Sequence, residues 1–161
     1  MRSAFIDTSA LAAVLFKETS FSIVQSTLAD LESVYASNLL EAEIRAAAAR
    51  ESVLQQEVDN VLSKVTWIFP DRSLSHELRV VVSAGVPLKG ADLWHVACAL
   101  YLAGDPSLLP FVTLDETQSL AASRMGFKVL PAALPYSSGA YEPPATYKRG
   151  KPKPRKGKSK E

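Results

Sequence analysis

The sequence predicts an α/β protein, a three-layer α/β/α sandwich around a central, mostly parallel sheet. Three observations carry that expectation. The strand-length apolar runs are short and nearly continuous, as strands buried on both faces must be. Stretches of helical composition separate each run from the next, so the strands can run parallel with helices as crossovers. Acids stand just after two of the runs, where a strand gives way to a helix. The length of 161 residues suits one domain with a sizeable core.

Ser3-Ala4-Phe5-Ile6 is the first strand, and it ends at Asp7. Thr8-Ser9 then introduces a helix over 10–17, and a second helix over about 21–31 leads to the strand Val34-Tyr35-Ala36. Ser37 or Asn38 can cap a long Ala-rich helix reaching about residue 52, and another helix covers 53–64. Trp67-Ile68-Phe69 reads as a strand closed by Pro70, and a helix near 74–84 stops at Gly85. The loop 86–90 precedes a strongly apolar helix over 91–103, which Gly104 and Pro106 close. Phe111-Val112-Thr113 is a strand, 115–125 a helix ended by Gly126, and Lys128-Val129-Leu130 the last strand. There is no internal repeat.

Near-neutral charge hides an asymmetry. Residues 1–147 hold ten basic and sixteen acidic residues, a net of −6, whereas 148–161 hold eight basic and one acidic, a net of +7. Six of the ten prolines fall at or after Pro131. The chain is therefore expected to divide into a domain over 1–134 and a Pro/Lys-rich basic tail over 135–161, too poor in apolar residues to offset its ordering entropy.

The single cysteine, Cys98, excludes an internal disulfide and falls in an apolar helix, which fits a buried thiol, a reducing cytosol and a cytoplasmic location. Asp7 interrupts the apolar opening and no clear cleavage site follows, so the opening reads as mature protein. Apolar runs stay far below the roughly 18 to 20 residues that cross a bilayer, so no membrane partner is expected.

Ligands of open parallel sheets bind beyond the carboxyl ends of the strands. Asp7 and Asp115 follow strands there, and Asp92 begins a helix. Each acid alone could be a helix cap, but three in one small domain suggest more. At 100° per residue Leu40, Ile44 and Ala47 share a face of the long helix, with Glu43 on its flank and Glu41 and Arg45 further out. Asn38-x-x-Glu41 fits a capping box, which leaves Glu43 as the fourth candidate. Gathered carboxylates repel unless a divalent cation neutralises them, and oxygen donors suit Mg²⁺ or Mn²⁺. Zinc fits poorly, with two histidines, one cysteine and no ligand spacing between them. His95, three residues after Asp92, can hydrogen-bond that acid or pack in its support. There is no Gly-x-Ser-x-Gly elbow, dinucleotide fingerprint or phosphate-binding loop. An aspartyl-phosphate phosphatase would need an acid where Ser9 stands.

Phe5-Ile6-Asp7-Thr8-Ser9-Ala10-Leu11, Ser37-x5-Glu43-Ile44-Arg45, Gly90-Ala91-Asp92-Leu93-Trp94-His95-Val96-Ala97-x-Ala99-Leu100 and Phe111-Val112-Thr113-Leu114-Asp115 follow one another in order. This ordered set resembles the four motifs of PIN-domain nucleases, and the chain is similar in size and ending to VapC toxins of type II toxin–antitoxin systems. The resemblance covers about residues 1–134. It implies a metal-dependent endoribonuclease in which Asp7, Glu43 and Asp92 hold Mg²⁺ or Mn²⁺, Asp115 completes the acidic cluster, and Thr8, Ser9 and Thr113 support it. It also implies an RNA substrate, a homodimer and a cognate antitoxin. The acidic core repels RNA, so binding would draw on the metal, on basic residues such as Arg45 and on the tail. Two alternatives remain at this point: a PIN-like module that binds RNA or protein with its acids kept only as caps, and a housekeeping RNA- or DNA-processing nuclease.

Overall fold

In strand β1 (Ser3–Ile6) side chains alternate between two cores: Ala4 and Ile6 point to one face and Phe5 to the other. Val34 and Ala36 of β2 (Ser33–Ser37) join Ala4 and Ile6, while Tyr35 joins Phe5. In β4 (Phe111–Val112) the two residues part in the same way, and the Phe5 and Phe111 rings stack 5.5 Å apart. Burial on both faces explains why these strands read as continuous apolar runs rather than alternating ones. With β3 (Val65–Ile68) and β5 (Val129–Leu130) they form one sheet in the order β3-β2-β1-β4-β5, every pairing parallel. The computed structural model describes residues 2–131.

One face of the sheet carries α1 (Thr8–Leu15), α2 (Phe21–Ala29), α3 (Leu39–Arg50) and α4 (Gln55–Leu62). The other carries α5 (Ser75–Ser83), α6 (Gly90–Leu102) and α7 (Glu116–Arg124). The three-layer sandwich is as the sequence predicts, and among the described residues the sheet is wholly parallel. From β1 the chain winds outward through β2 to β3, then crosses to β4 on the other flank of β1. That reversal opens a crevice between the carboxyl ends of β1 and β4, the usual ligand position in such sheets.

Most expected helices appear one or two residues shorter at an end, where last turns lack partners. Gly85 and Gly126 stop α5 and α7 with φ of +69° and +93°, a conformation that favours glycine. The third strand lies at Val65–Ile68 rather than at 67–69, because its register with β2 pairs Val34 with Val65 and leaves Phe69 past the ladder, exposed. A 3-10 turn at Pro106–Leu108, which the sequence did not announce, is held by the Asp105 carboxylate on the Ser107 N–H. The expected capping box is absent: Asn38 adopts helical angles with no side-chain bond, and Glu41 pairs instead with Arg45 one turn on.

Cys98 is buried and free, and burial pushes its thiol up to about 12. Among the described residues no helix is long and apolar enough to cross a membrane. The expected tail over 135–161 and the end of the expected domain at 132–134 lie outside the described residues.

Candidate functional site

Asp7 leaves the end of β1 and caps α1, its Oδ1 accepting the Ala10 N–H at 3.2 Å. The Ser9 hydroxyl donates to the same carboxylate at 2.9 and 3.1 Å. Asp7 is almost wholly buried, and that burial raises its pKa to about 6 despite the opposing hydrogen bonds of Ser9 and Ala10 and the nearby His95 and Thr113. Ser9 also reaches across the crevice: its Oγ accepts the Leu114 N–H at 2.9 Å and lies 3.4 Å from the Thr113 hydroxyl. The ends of β1 and β4 are thereby tied together.

Thr8 donates to Glu43 Oε2 at 2.5 Å, joining α1 to α3. The same oxygen meets His95 Nε2 at 2.8 Å, and the other ring nitrogen, Nδ1, lies 2.8 Å from Ser37 Oγ at the end of β2. His95 Nε2–H donates to Glu43, and Ser37 Oγ donates to Nδ1 of a neutral ring or accepts from it when the ring is charged, so every partner is satisfied in either state. Burial raises the Glu43 carboxyl, but the bonds from His95 and Thr8 outweigh it and hold the group below the usual carboxylate range. His95 belongs to α6, on the opposite face from α3, so this chain of bonds crosses over the carboxyl edge of the sheet. The sequence leaves His95 either to hydrogen-bond Asp92 or to pack. The structure gives its hydrogen bond to Glu43, because Asp92 and His95 share a helix while Glu43 comes to the ring from the facing layer.

Asp92 lies in the first turn of α6 and Asp115 caps α7. Asp115 Oδ1 accepts the Gln118 N–H at 2.7 Å, and its own N–H donates to Thr113 Oγ1 at 3.0 Å. Gln118 then reaches Asp92, Nε2 to Oδ1 at 3.3 Å. Burial raises the Asp92 carboxyl, and the charges of Asp115 and Glu43 add to the rise, against the opposing Lys89 and His95.

Every expected site residue therefore lies at this edge, in three hydrogen-bonded groups: Asp7 with Ser9 and Thr113, Glu43 with Thr8, His95 and Ser37, and Asp92 with Gln118 and Asp115. Two of the four acids are also caps, so capping and site position coincide for Asp7 and Asp115. Among the described residues no three His, Cys, Asp or Glu side chains are already drawn close enough to cage an ion. The donors nonetheless fit Mg²⁺ or Mn²⁺ in kind. They are hard oxygens, Mg²⁺ needs only one or two carboxylates and keeps several waters, and a buried acceptor, Gln118 Oε1, stands without a partner.

Sequence reasoning missed Gln118, although Asp115-x-x-Gln118 has capping-box spacing. It gave Ser37 a capping role and a place in the second motif without a bond to His95, and it named Arg45 as a basic residue for RNA. Arg45 is engaged, bonding Glu41 and Asp59 at 2.9 Å each and Gln55 at 3.1 Å.

The PIN domain family model matches residues 4–124. The chain belongs to the PIN domain family. The match embraces all four acids of this PIN domain and both of its helical layers. Among solved structures, VapBC-1 from nontypeable Haemophilus influenzae has a chain of the same fold, with a TM-score of 0.57 at 14% identity, covering 79% of this PIN-domain chain and 96% of that one. The comparison with curated proteins finds no match.

Proposed function

We propose that this PIN domain is a VapC-type toxin, an endoribonuclease dependent on Mg²⁺ or Mn²⁺ and neutralised by a cognate antitoxin. Asp7, Glu43, Asp92 and Asp115 form its acidic site, with Thr8, Ser9 and Thr113 in support. The observation that carries the reading is the wiring of residues from all four motifs across one sheet edge, through His95 and Gln118, in a chain of the PIN family. The shared fold with a VapBC-1 chain supports the toxin–antitoxin assignment, and a homodimer is proposed with it.

A divalent cation, when bound, lowers the pKa of a water and offsets charge on the phosphate under attack. The chain's own part is to present charge in the right place. Glu43 is favoured in its charged form and aimed by Thr8 and His95, whereas at Asp7 and Asp92 burial disfavours the carboxylate charge, which an arriving positive charge would stabilise. Ser9 and Thr113 fix the Asp7 loop to the start of α7, and no side chain needs to act as a covalent nucleophile. The eight basic residues after 147 supply the positive charge that 1–147 lack for holding RNA.

Purified protein should cleave single-stranded RNA with Mg²⁺ or Mn²⁺ and stop on chelation, and its induction should arrest bacterial growth. Asp92→Asn, which removes a charge and almost no volume, should lower cleavage by about 100- to 1,000-fold or more and relieve the arrest. Turnover near wild type in the folded variant would overturn the assigned site.

A further inference from the structure

Gln118 is wholly buried on α7, on the same face as Ala121 and Ala122, where an aliphatic side chain would be the simplest occupant. Two of its groups serve acids instead. Its backbone N–H donates to Asp115 and its side-chain N–H to Asp92, so one residue ties together two carboxylates that repel each other. The remaining group, Oε1, is the one buried side-chain nitrogen or oxygen among the described residues with no hydrogen-bond partner. Turning the amide over would not relieve it, since Oε1 would then face Asp92 Oδ1, acceptor against acceptor. The carboxylate thus decides which atom is left open. Folded proteins keep few such acceptors unless a water or an ion completes them.

We propose that Gln118 is a positioning residue of the acidic site: its side-chain N–H fixes the Asp92 carboxylate, and its Oε1 accepts a hydrogen bond from water carried by the divalent cation. The inference rests on the metal-dependent reading above. It accounts for a polar side chain in an apolar position and for the choice of an amide. Glutamate there would add a further negative charge beside Asp92, and methionine could neither donate nor accept. Groups that orient ligands and bound water from outside the coordination sphere commonly change metal affinity by about 10- to 100-fold.

Gln118→Met keeps length and bulk while removing both roles. By calorimetry its Mg²⁺ dissociation constant should rise about 10-fold over wild type. Its metal-free thermal midpoint should hold or rise, because an unfilled acceptor has gone. A lowered midpoint with an Mg²⁺ dissociation constant within about twofold of wild type would make Gln118 merely structural and overturn the proposal. A second measurement needs no variant: in ¹⁵N-labelled wild type, the Gln118 side-chain NH₂ resonances should shift on Mg²⁺ addition and saturate with the calorimetric constant. Resonances unmoved at saturating Mg²⁺ overturn the proposal even if the variant does not fold. Wild type that binds neither Mg²⁺ nor Mn²⁺ sinks the metal-dependent reading and this inference together, whereas binding that ignores Gln118→Met sinks this inference alone.

Discussion

Glu43 on α3 and Asp92 on α6 stand at the same edge of the sheet, one from each helical layer, and their surroundings are opposite. Glu43 receives a hydroxyl from Thr8 and a ring N–H from His95, and the ring is itself fixed by Ser37. Asp92 receives one long amide contact from Gln118 and faces the charges of Asp115 and Glu43. Both are partly buried, yet one carboxyl lies below its ordinary range and the other above it. Desolvation acts on both; at Glu43 the bonds from His95 and Thr8 outweigh it, whereas at Asp92 the charges of Asp115 and Glu43 add to it. The fold neutralises one half of the site from within and leaves the other half to be neutralised from outside. Under the proposed metal-dependent function, this division would give the site a firm anchor and an unmet charge together.

Asp7 shares the raised carboxyl of Asp92, through burial that outweighs its bonds from Ser9 and Ala10, and offers the largest effect that would break the comparison. Its pKa near 6 in the folded state stands against an ordinary value of 3.8. Below about pH 3.8 both states are protonated and the group is neutral in its effect. Between the two values the folded protein keeps a proton that the unfolded chain has lost, so stability falls as pH rises, and above about pH 6 the full penalty of roughly 2–3 kcal/mol stands. Asp7→Asn should therefore be more stable than wild type by about that amount at pH 8 in metal-free buffer and lose the advantage near pH 3.5. Urea unfolding at the two pH values measures it. An advantage equal at both would mean that something other than a buried charge is responsible.

The next effect tests the satisfied half. His95→Gln removes the ring that joins Glu43 to Ser37, and Mg²⁺ affinity should fall by about 10- to 100-fold, read by calorimetry beside a thermal melt that verifies folding. Unchanged affinity in a folded variant would mean that Thr8 alone aims Glu43, and that the anchor does not depend on the opposite layer.

The two halves also differ in how legible they were in the sequence. The strands could be read because both faces of each are covered, so that Phe5-Ile6 and Phe111-Val112 are apolar without alternation. Asp7 and Asp115 could be placed because a strand end is a fixed point in a parallel sheet. Phasing put Glu43 beside the apolar stripe correctly, although Ala48 rather than Ala47 completes that stripe with Leu40 and Ile44. Side-chain partners across layers could not be read. His95 bonds a residue 52 positions away, and Gln118 one 26 positions away. Neither separation leaves a periodic trace, because the meeting depends on how α3, α6 and α7 cross the edge of the sheet.

The smallest effect sharpens the comparison by supplying a carboxylate on the same helix that does neither job. Glu41 lies two residues before Glu43, but it turns outward to pair with Arg45 one helical turn on, where both side chains are substantially exposed. A solvated pair of that kind contributes little to stability. Arg45 also keeps its contact with Asp59 when Glu41 is neutralised, so even that contribution is shared. Glu41→Gln should therefore shift the thermal midpoint marginally and leave Mg²⁺ affinity as it is, whereas Glu43→Gln should weaken the rise in midpoint that Mg²⁺ is expected to produce in wild type. Thermal melts of the two variants with and without Mg²⁺ make the comparison. Equal loss of the metal-induced rise at both positions would show that the helix merely supplies negative potential, and that the bonds from Thr8 and His95 do not single out Glu43.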